Sequence, residues 1–178
     1  MIDPFATLGL ARRYDLDVAE LERRYRDLQR ALHPDRHTAK PASERRMSLQ
    51  KAVEVNEAYR ILRDDQRRAE ALLAALGGET RVEPDRAADP ELLMEMMELR
   101  EALSEAKAAG DAAAVARLAE RVGRERAETR DALVRNFAAL PERPVATALG
   151  PARALVSRLK YYQRFLDEVA VFEDEARS

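Results

Sequence analysis

The sequence contains no cysteine. That absence excludes disulfides, thiolate catalysis and cysteine-ligated zinc. It also means the chain cannot itself hold an iron–sulfur cluster through thiolates. Histidine is nearly as scarce, and the two present, His33 and His37, are too few for a histidine-rich metal site. There are only six glycines, and aromatic residues make up 5% of the chain; with Ala, Leu, Arg and Glu dominant, the composition suits long solvated helices rather than sheet. No uninterrupted apolar stretch approaches the ~20 residues of a membrane span. The start, Met1-Ile2-Asp3-Pro4, lacks the basic residues and apolar run of a signal peptide, so a cytoplasmic protein without a membrane partner is expected. A large charge of one sign is missing too. Residues 1–78 hold 15 basic and 13 acidic side chains and residues 79–178 hold 16 and 20, so neither half is basic enough for a nucleic-acid partner.

What is present is charge in bulk. Of the 178 residues 36% are charged and 46% hydrophobic, against about 25% charged in ordinary soluble domains. The length allows one domain of usual size or two small ones. Gly77-Gly78, Pro84 and Pro90 break helical patterning and place a boundary between residues 77 and 90.

Hydrophobic spacing then predicts helices throughout. Pro4 to Leu8 can form a short turn. Val18, Leu21, Tyr25, Leu28 and Leu32 step by three and four along one stripe, with Asp15 or Asp17 as the cap. Pro34 ends that helix, because the residue before proline avoids the α region. The next helix starts near Ser43 and carries Val55, Ala58, Tyr59 and Leu62 on one face. Asp64-Asp65 interrupts it, and a short helix follows through Ala69, Leu72, Leu73 and Leu76. Beyond the boundary, three helices of about 90–109, 111–140 and 152–175 are expected. Asp111 caps the second, and Gly150-Pro151 separates it from the third. Their stripes are Leu92, Met96, Leu99 and Leu103; then Val115, Leu118, Val122, Leu133 and Phe137; then Leu155, Leu159, Tyr162, Leu166 and Val169. Short connections make this an antiparallel bundle.

Chemistry concentrates at His33-Pro34-Asp35. On a wheel of about 100° per residue, Arg23, Arg26 and Arg30 fall together opposite the core stripe of the preceding helix. Asp17, Glu20, Glu22 and Asp27 lie outside that ridge, and Arg24 lies off it. Guanidinium groups pair with carboxylates and steer encounter, so the ridge suits docking on an acidic surface. Pro34 stiffens the turn, Asp35 offers a carboxylate and His33 a donor or acceptor. The turn holds no nucleophile. A hydrolase or metal site would need further groups, for which Ser43, Thr38 and His37 are candidates only by proximity. In the second half, Leu93, Met94 and Met97 lie far round the wheel from the Leu92 stripe, with Glu98 and Glu101 beside or just beyond them. Either the bundle buries both sides, or this second stripe waits for a partner.

The basic helix, the His-Pro-Asp turn, the polar loop of residues 36–41 and the following Asn56-Glu57-Ala58-Tyr59 resemble the J domain. The resemblance implies binding to a DnaK-class chaperone ATPase and stimulation of its hydrolysis. The implied contacts are Arg23, Arg26, Arg30, His33, Pro34 and Asp35, and Arg36 can add charge. A narrower resemblance covers nearly the whole chain. It rests on Phe5-Ala6-Thr7-Leu8-Gly9-Leu10, Tyr14-Asp15-Leu16-Asp17, Leu62-Arg63, Arg67-Arg68-Ala69-Glu70, Leu93-Met94-Glu95 and Glu98-Leu99-Arg100-Glu101. This order is similar to the HscB family of iron–sulfur cluster assembly co-chaperones. It implies an all-α, L-shaped protein with a J domain at residues 1–76, a linker at 77–89 and a three-helix scaffold-binding domain at 90–178. The J domain would be a helical hairpin with short flanking helices. The implied partners are the scaffold protein IscU and an HscA- or DnaK-class chaperone, with no cofactor, no resident metal and no enzymatic activity of the chain's own. The implied scaffold contacts are Leu93, Met94, Met97, Glu98, Arg100, Glu101 and Tyr161, with Phe165 as the alternative aromatic. Met97 stands where the family commonly has leucine, a volume-conserving change. Because the chain opens directly on the J domain and lacks cysteine, it resembles the bacterial form. Two other readings stay open at this point: a general J protein that delivers unfolded clients, and a structural helical protein whose every stripe is core.

Overall fold

In a computed structural model, residues 3–33, 41–77, 89–141 and 144–177 are described. Every regular element among them is helical. The chain divides into two compact units, Met1–Thr80 and Arg81–Ser178.

In the first unit, α1 (Pro4–Leu8) is a single turn built on Asp3. The Asp3 carboxylate accepts hydrogen bonds from the amides of Phe5 and Ala6 at 3.0 and 3.3 Å, which satisfies helix-end donors that otherwise lack a partner. Arg12 closes back on the same carboxylate at 2.6 Å. Burial alone would raise the Asp3 pKa, but the Arg12 hydrogen bond and charge, with the two amides, outweigh it and hold the group below its ordinary value. Gly9 ends the turn at φ 65°, a left-handed conformation that glycine adopts without a side-chain clash.

Asp17 caps α2 (Val18–Leu32) through the Ala19 amide. The expected stripe is only partly core. Leu21 is buried, Tyr25, Leu28 and Leu32 are half-buried, and Val18 is exposed. Val18 is the first residue of the helix, and α2 packs chiefly on α3 and α1, so the end of its stripe runs past these neighbours. The partner helix, α3 (Ala42–Arg63), buries Val55, Ala58 and Leu62. Tyr59 stacks on Tyr25 with ring centroids 4.0 Å apart and planes 12° from parallel. Asp64 ends α3 and caps α4 (Asp65–Ala75) through the Arg67 amide at 2.8 Å. Phe5, Leu8, Tyr14, Leu21, Leu62, Leu72 and Leu73 are all essentially inaccessible to water and form the centre of this unit.

The second unit begins with α5 (Pro90–Ala108), capped by Asp89 with Pro90 in its first turn. Gly110 turns the chain at φ 66°, and Asp111 then caps α6 (Ala112–Ala139) through the Ala114 amide at 2.8 Å. A 3₁₀ turn at Ala146–Leu149 leads into α7 (Gly150–Arg177). The third helix therefore starts before Pro151 rather than after Gly150-Pro151. Proline is tolerated there because first-turn amides have no intrahelical acceptor to lose.

Cross-helix ion pairs fix the directions. Arg121 of α6 meets Glu95 of α5 at 3.4 Å. Arg158 of α7 meets Asp89 at 3.6 Å, and Lys107 meets Glu168 at 3.2 Å. Helix α6 thus runs antiparallel to α5, and α7 runs parallel to α5. Leu92, Met96, Leu99, Leu103, Val115, Val122, Tyr162, Phe165 and Val169 share one core cluster. Full burial of each such side chain contributes about 1.5–3 kcal/mol.

Candidate chaperone and scaffold surfaces

Arg23, Arg26 and Arg30 are all exposed on α2, on the side away from Leu21. They are not bare. Arg23 reaches Glu20 at 3.6 Å, Arg26 reaches Glu22 at 3.4 Å and Arg30 reaches Asp27 at 2.9 Å. Acids outside the stripe on the wheel are therefore drawn to its edge by three- and four-residue spacing. Such exposed pairs contribute only about 0.2–1 kcal/mol each, so a partner's carboxylate can replace the internal one at little cost. Arg24 shares Glu20 with Arg23, which leaves it beside the ridge rather than on it. His33 is exposed and ends α2. Pro34 and Asp35 lie outside the described residues, as do Arg36, His37 and Thr38.

The position of the ridge is set by contacts that the wheel does not contain. The Tyr25 hydroxyl donates to Asn56 Oδ1 at 3.0 Å, and Gln29 Nε2 donates both to the Tyr25 hydroxyl at 3.0 Å and to Asn56 Oδ1. Nearer the turn, the Ser48 hydroxyl donates to the Leu32 carbonyl at 3.2 Å. These bonds lock α2 against α3 and fix the rotation of the ridge. Arg68 does similar work from α4. It is buried, donates to the Leu62 carbonyl at 2.8 Å and to Asp65 at 2.6 Å, and lies 5.0 Å above the Tyr14 ring. The run Arg67-Arg68 gave no sign that one arginine points inward; only the packing of Tyr14 distinguishes them.

On α5 the two stripes separate cleanly. Leu92, Met96, Leu99 and Leu103 are buried. Leu93 is 38% exposed, Met94 65% and Met97 72%. Glu98, Arg100 and Glu101 are exposed as well. The reading in which every stripe is core therefore fails for Leu93, Met94 and Met97. On α7, Phe165 is 0% exposed and belongs to the core cluster, whereas Tyr161 is half-buried and packs on the cluster's edge. That removes Phe165 as a surface contact and leaves Tyr161. The pair Arg158–Asp89 holds this stretch of α7 beside the start of α5.

Among the described residues no group of three or more His, Asp or Glu side chains could hold a metal ion. An open groove of about 720 Å³ lies between α1, α3 and α4; it is lined by residues such as Asp3, Arg12, Ile61, Ala71 and Ala74, and not by His33. No helix among the described residues is long and apolar enough to cross a membrane.

Comparison with known proteins agrees with this geometry. Residues 3–71 match the DnaJ domain, and residues 88–170 match the HSCB C-terminal oligomerisation domain. The co-chaperone protein HscB homolog of Aromatoleum aromaticum is 38% identical over 167 residues, covering 94% of this chain and 91% of that protein. The solved structure of the chaperone HscB from Vibrio cholerae superposes with a TM-score of 0.81 at 31% identity, covering 98% of this chain and 99% of the other. Human co-chaperone protein HscB superposes with a TM-score of 0.86 at 25% identity, covering 97% and 83%. The chain belongs to the HscB family of J-domain co-chaperones.

Proposed function

We propose that this protein binds an IscU-type iron–sulfur scaffold and delivers it to an HscA- or DnaK-class chaperone, whose ATPase it stimulates. In this reading residues 1–76 dock the chaperone, 77–89 link, and 90–178 hold the scaffold. The protein acts in the cytoplasm, catalyses no reaction itself and keeps no cofactor, with the cluster on the scaffold as cargo. The chaperone contact is Arg23, Arg26, Arg30, His33, Pro34 and Asp35. The scaffold contact is Leu93, Met94, Met97, Glu98, Arg100, Glu101 and Tyr161.

One observation carries the scaffold half: α5 exposes Leu93, Met94 and Met97 although the bundle core beside them is already closed by Leu92, Met96, Leu99 and Leu103. Three neighbouring apolar side chains in water, rimmed by Glu98, Arg100 and Glu101, have the composition of a recognition patch: an adaptable apolar centre with a charged edge. The test is calorimetric titration of a purified IscU-type scaffold into the wild type and into a Leu93→Ser/Met97→Ser double variant. Both positions are exposed, so the variant should fold normally and bind at least about tenfold more weakly. Equal affinity would overturn the assignment.

A further inference from the structure

The open groove of about 720 Å³ between α1, α3 and α4 belongs to neither surface described so far. None of its described lining residues lies on α2, and none is in the scaffold contact. Its floor is apolar and shallow-sided. Helix α4 buries Leu72 and Leu73 in the core and gives the groove Ala71, Ala74 and Ala75. An alanine side chain ends at Cβ, so the space that longer side chains would fill is left as groove. Ile61 of α3, half-buried, completes the floor on the opposite wall.

The rim carries three arginines and three acids, and they are not evenly matched. Every acid already has a donor from the chain. Asp3 accepts from two amides and from Arg12. Glu57 accepts from Arg60 at 3.1 Å, and Glu70 accepts from Gln66 Nε2 at 3.0 Å. The arginines are not used up in the same way. Arg60 spends only Nη1 on Glu57, and Arg12 spends Nε and Nη2 on Asp3. Arg67 is exposed, and its guanidinium makes no ion pair among the described residues. A guanidinium has five N–H donors and a carboxylate has none, so the rim holds a surplus of donors.

That surplus selects the occupant. An anionic partner meets N–H groups that are still unspent, whereas a cationic one must first strip Arg12 or Arg60 from its carboxylate. The apolar floor requires an apolar face on the same partner. The groove is open and bounded by helices, a setting that takes an amphipathic helix laid lengthwise. We infer that the α1–α3–α4 groove docks an acidic amphipathic helix of a partner protein. Its apolar face lies on Ile61 and the alanines, and its carboxylates pair with Arg67, Arg60 and Arg12. This third contact is independent of the chaperone and scaffold readings.

The experiment titrates a synthetic helical peptide, leucine on one face and glutamate on the other, into the full-length protein labelled with ¹⁵N. Saturable amide shifts should concentrate at Ile61, Ala71 and Ala74, and affinity should fall as salt rises. The same peptide with lysine in place of glutamate should bind at least about tenfold more weakly. Arg67→Glu, at an exposed position, should keep the fold and reverse that preference, weakening the acidic peptide and strengthening the basic one. A loss of packing would weaken both. Ala74→Trp, which fills the floor, should abolish both. No saturable shift in the groove, shifts confined to α2, or equal affinity of the two peptides would overturn the proposal. So would an unchanged affinity for the acidic peptide in Arg67→Glu. Sedimentation of the protein alone covers the remaining occupant: a dimer that Ala74→Trp dissociates would assign the groove to a second copy of the chain and overturn the partner helix.

Discussion

Helices α2 and α5 each bury one stripe and present another, yet what they present is opposite in kind. Helix α2 exposes arginines, each already leaning on an acid three or four residues away. Helix α5 exposes leucine and methionine, at Leu93, Met94 and Met97. The first surface loses little by staying in water and acts at a distance through its field, falling off with the Debye length, about 8 Å at physiological salt. The second is unfavourable in water and gains only on contact, about 0.8 kcal/mol for each CH₂ buried. Under the proposed function, in which one partner is met repeatedly and another is held through the transfer, both kinds of surface have a use.

That contrast can be broken most decisively inside α5. Leu103→Ala, in the closed core, should lower stability by about 2–5 kcal/mol, whereas Met97→Ala, one face away, should stay within about 0.5 kcal/mol. Urea unfolding followed by circular dichroism measures both. Comparable losses would mean the two stripes are not distinct. Next in size is Arg68→Met. Removing a buried guanidinium that holds the Leu62 carbonyl and Asp65 should cost the first unit about 2–4 kcal/mol. The second unit should melt unchanged, which domain-resolved amide exchange reads directly.

The legibility of these features in sequence follows the same division. Elements set by local rules are readable: the short turn at Pro4–Leu8, a cap at Asp15 or Asp17 that the structure resolves to Asp17, the cap at Asp111, and the Leu92 stripe. The exposure of Leu93 and Met97 was readable as a question but not as an answer. Whether a second stripe is core depends on how many helices surround it, and a wheel contains one. Periodicity extends the core stripe to Val18, because it carries on to a helix end regardless of whether a neighbour reaches that far. Arg68 and the Tyr25–Gln29–Asn56 seam are invisible for a related reason: the contacts that set them apart, Arg68 with Leu62 and Tyr14 and the pairing of Tyr25 and Gln29 with Asn56, span 6 to 54 positions in sequence and form only after packing. The start of α7 lies before Pro151 and not after it, because proline breaks a helix in its middle yet is accepted in its first turn.

Smaller effects sharpen the account of α2. Arg26→Ala/Arg30→Ala should leave stability within about 0.5 kcal/mol, since exposed pairs contribute little, while slowing chaperone association several-fold at low salt and hardly at all at high salt. Stopped-flow association at two salt concentrations distinguishes this from a loss of packing. The smallest expected effect is at Asp3. Its folded pKa lies below the ordinary value, so its contribution is present above the unfolded pKa and disappears as pH falls through the folded one. Because Arg12 is half in water, that contribution is under about 1 kcal/mol. It should appear as an acid-side loss of stability in the wild type that is reduced in Asp3→Asn.

The central claim is that the two surfaces serve two partners independently. It is tested most directly by one ATPase assay of the chaperone, with and without scaffold, comparing Asp35→Asn with Leu93→Ser/Met97→Ser. The expected result is a double dissociation. Asp35→Asn stimulates neither the free chaperone nor the chaperone with scaffold but still binds scaffold, while the α5 variant stimulates the free chaperone normally and loses the additional stimulation that scaffold brings. Normal stimulation by Asp35→Asn, or full scaffold-dependent stimulation by the α5 variant, would contradict it.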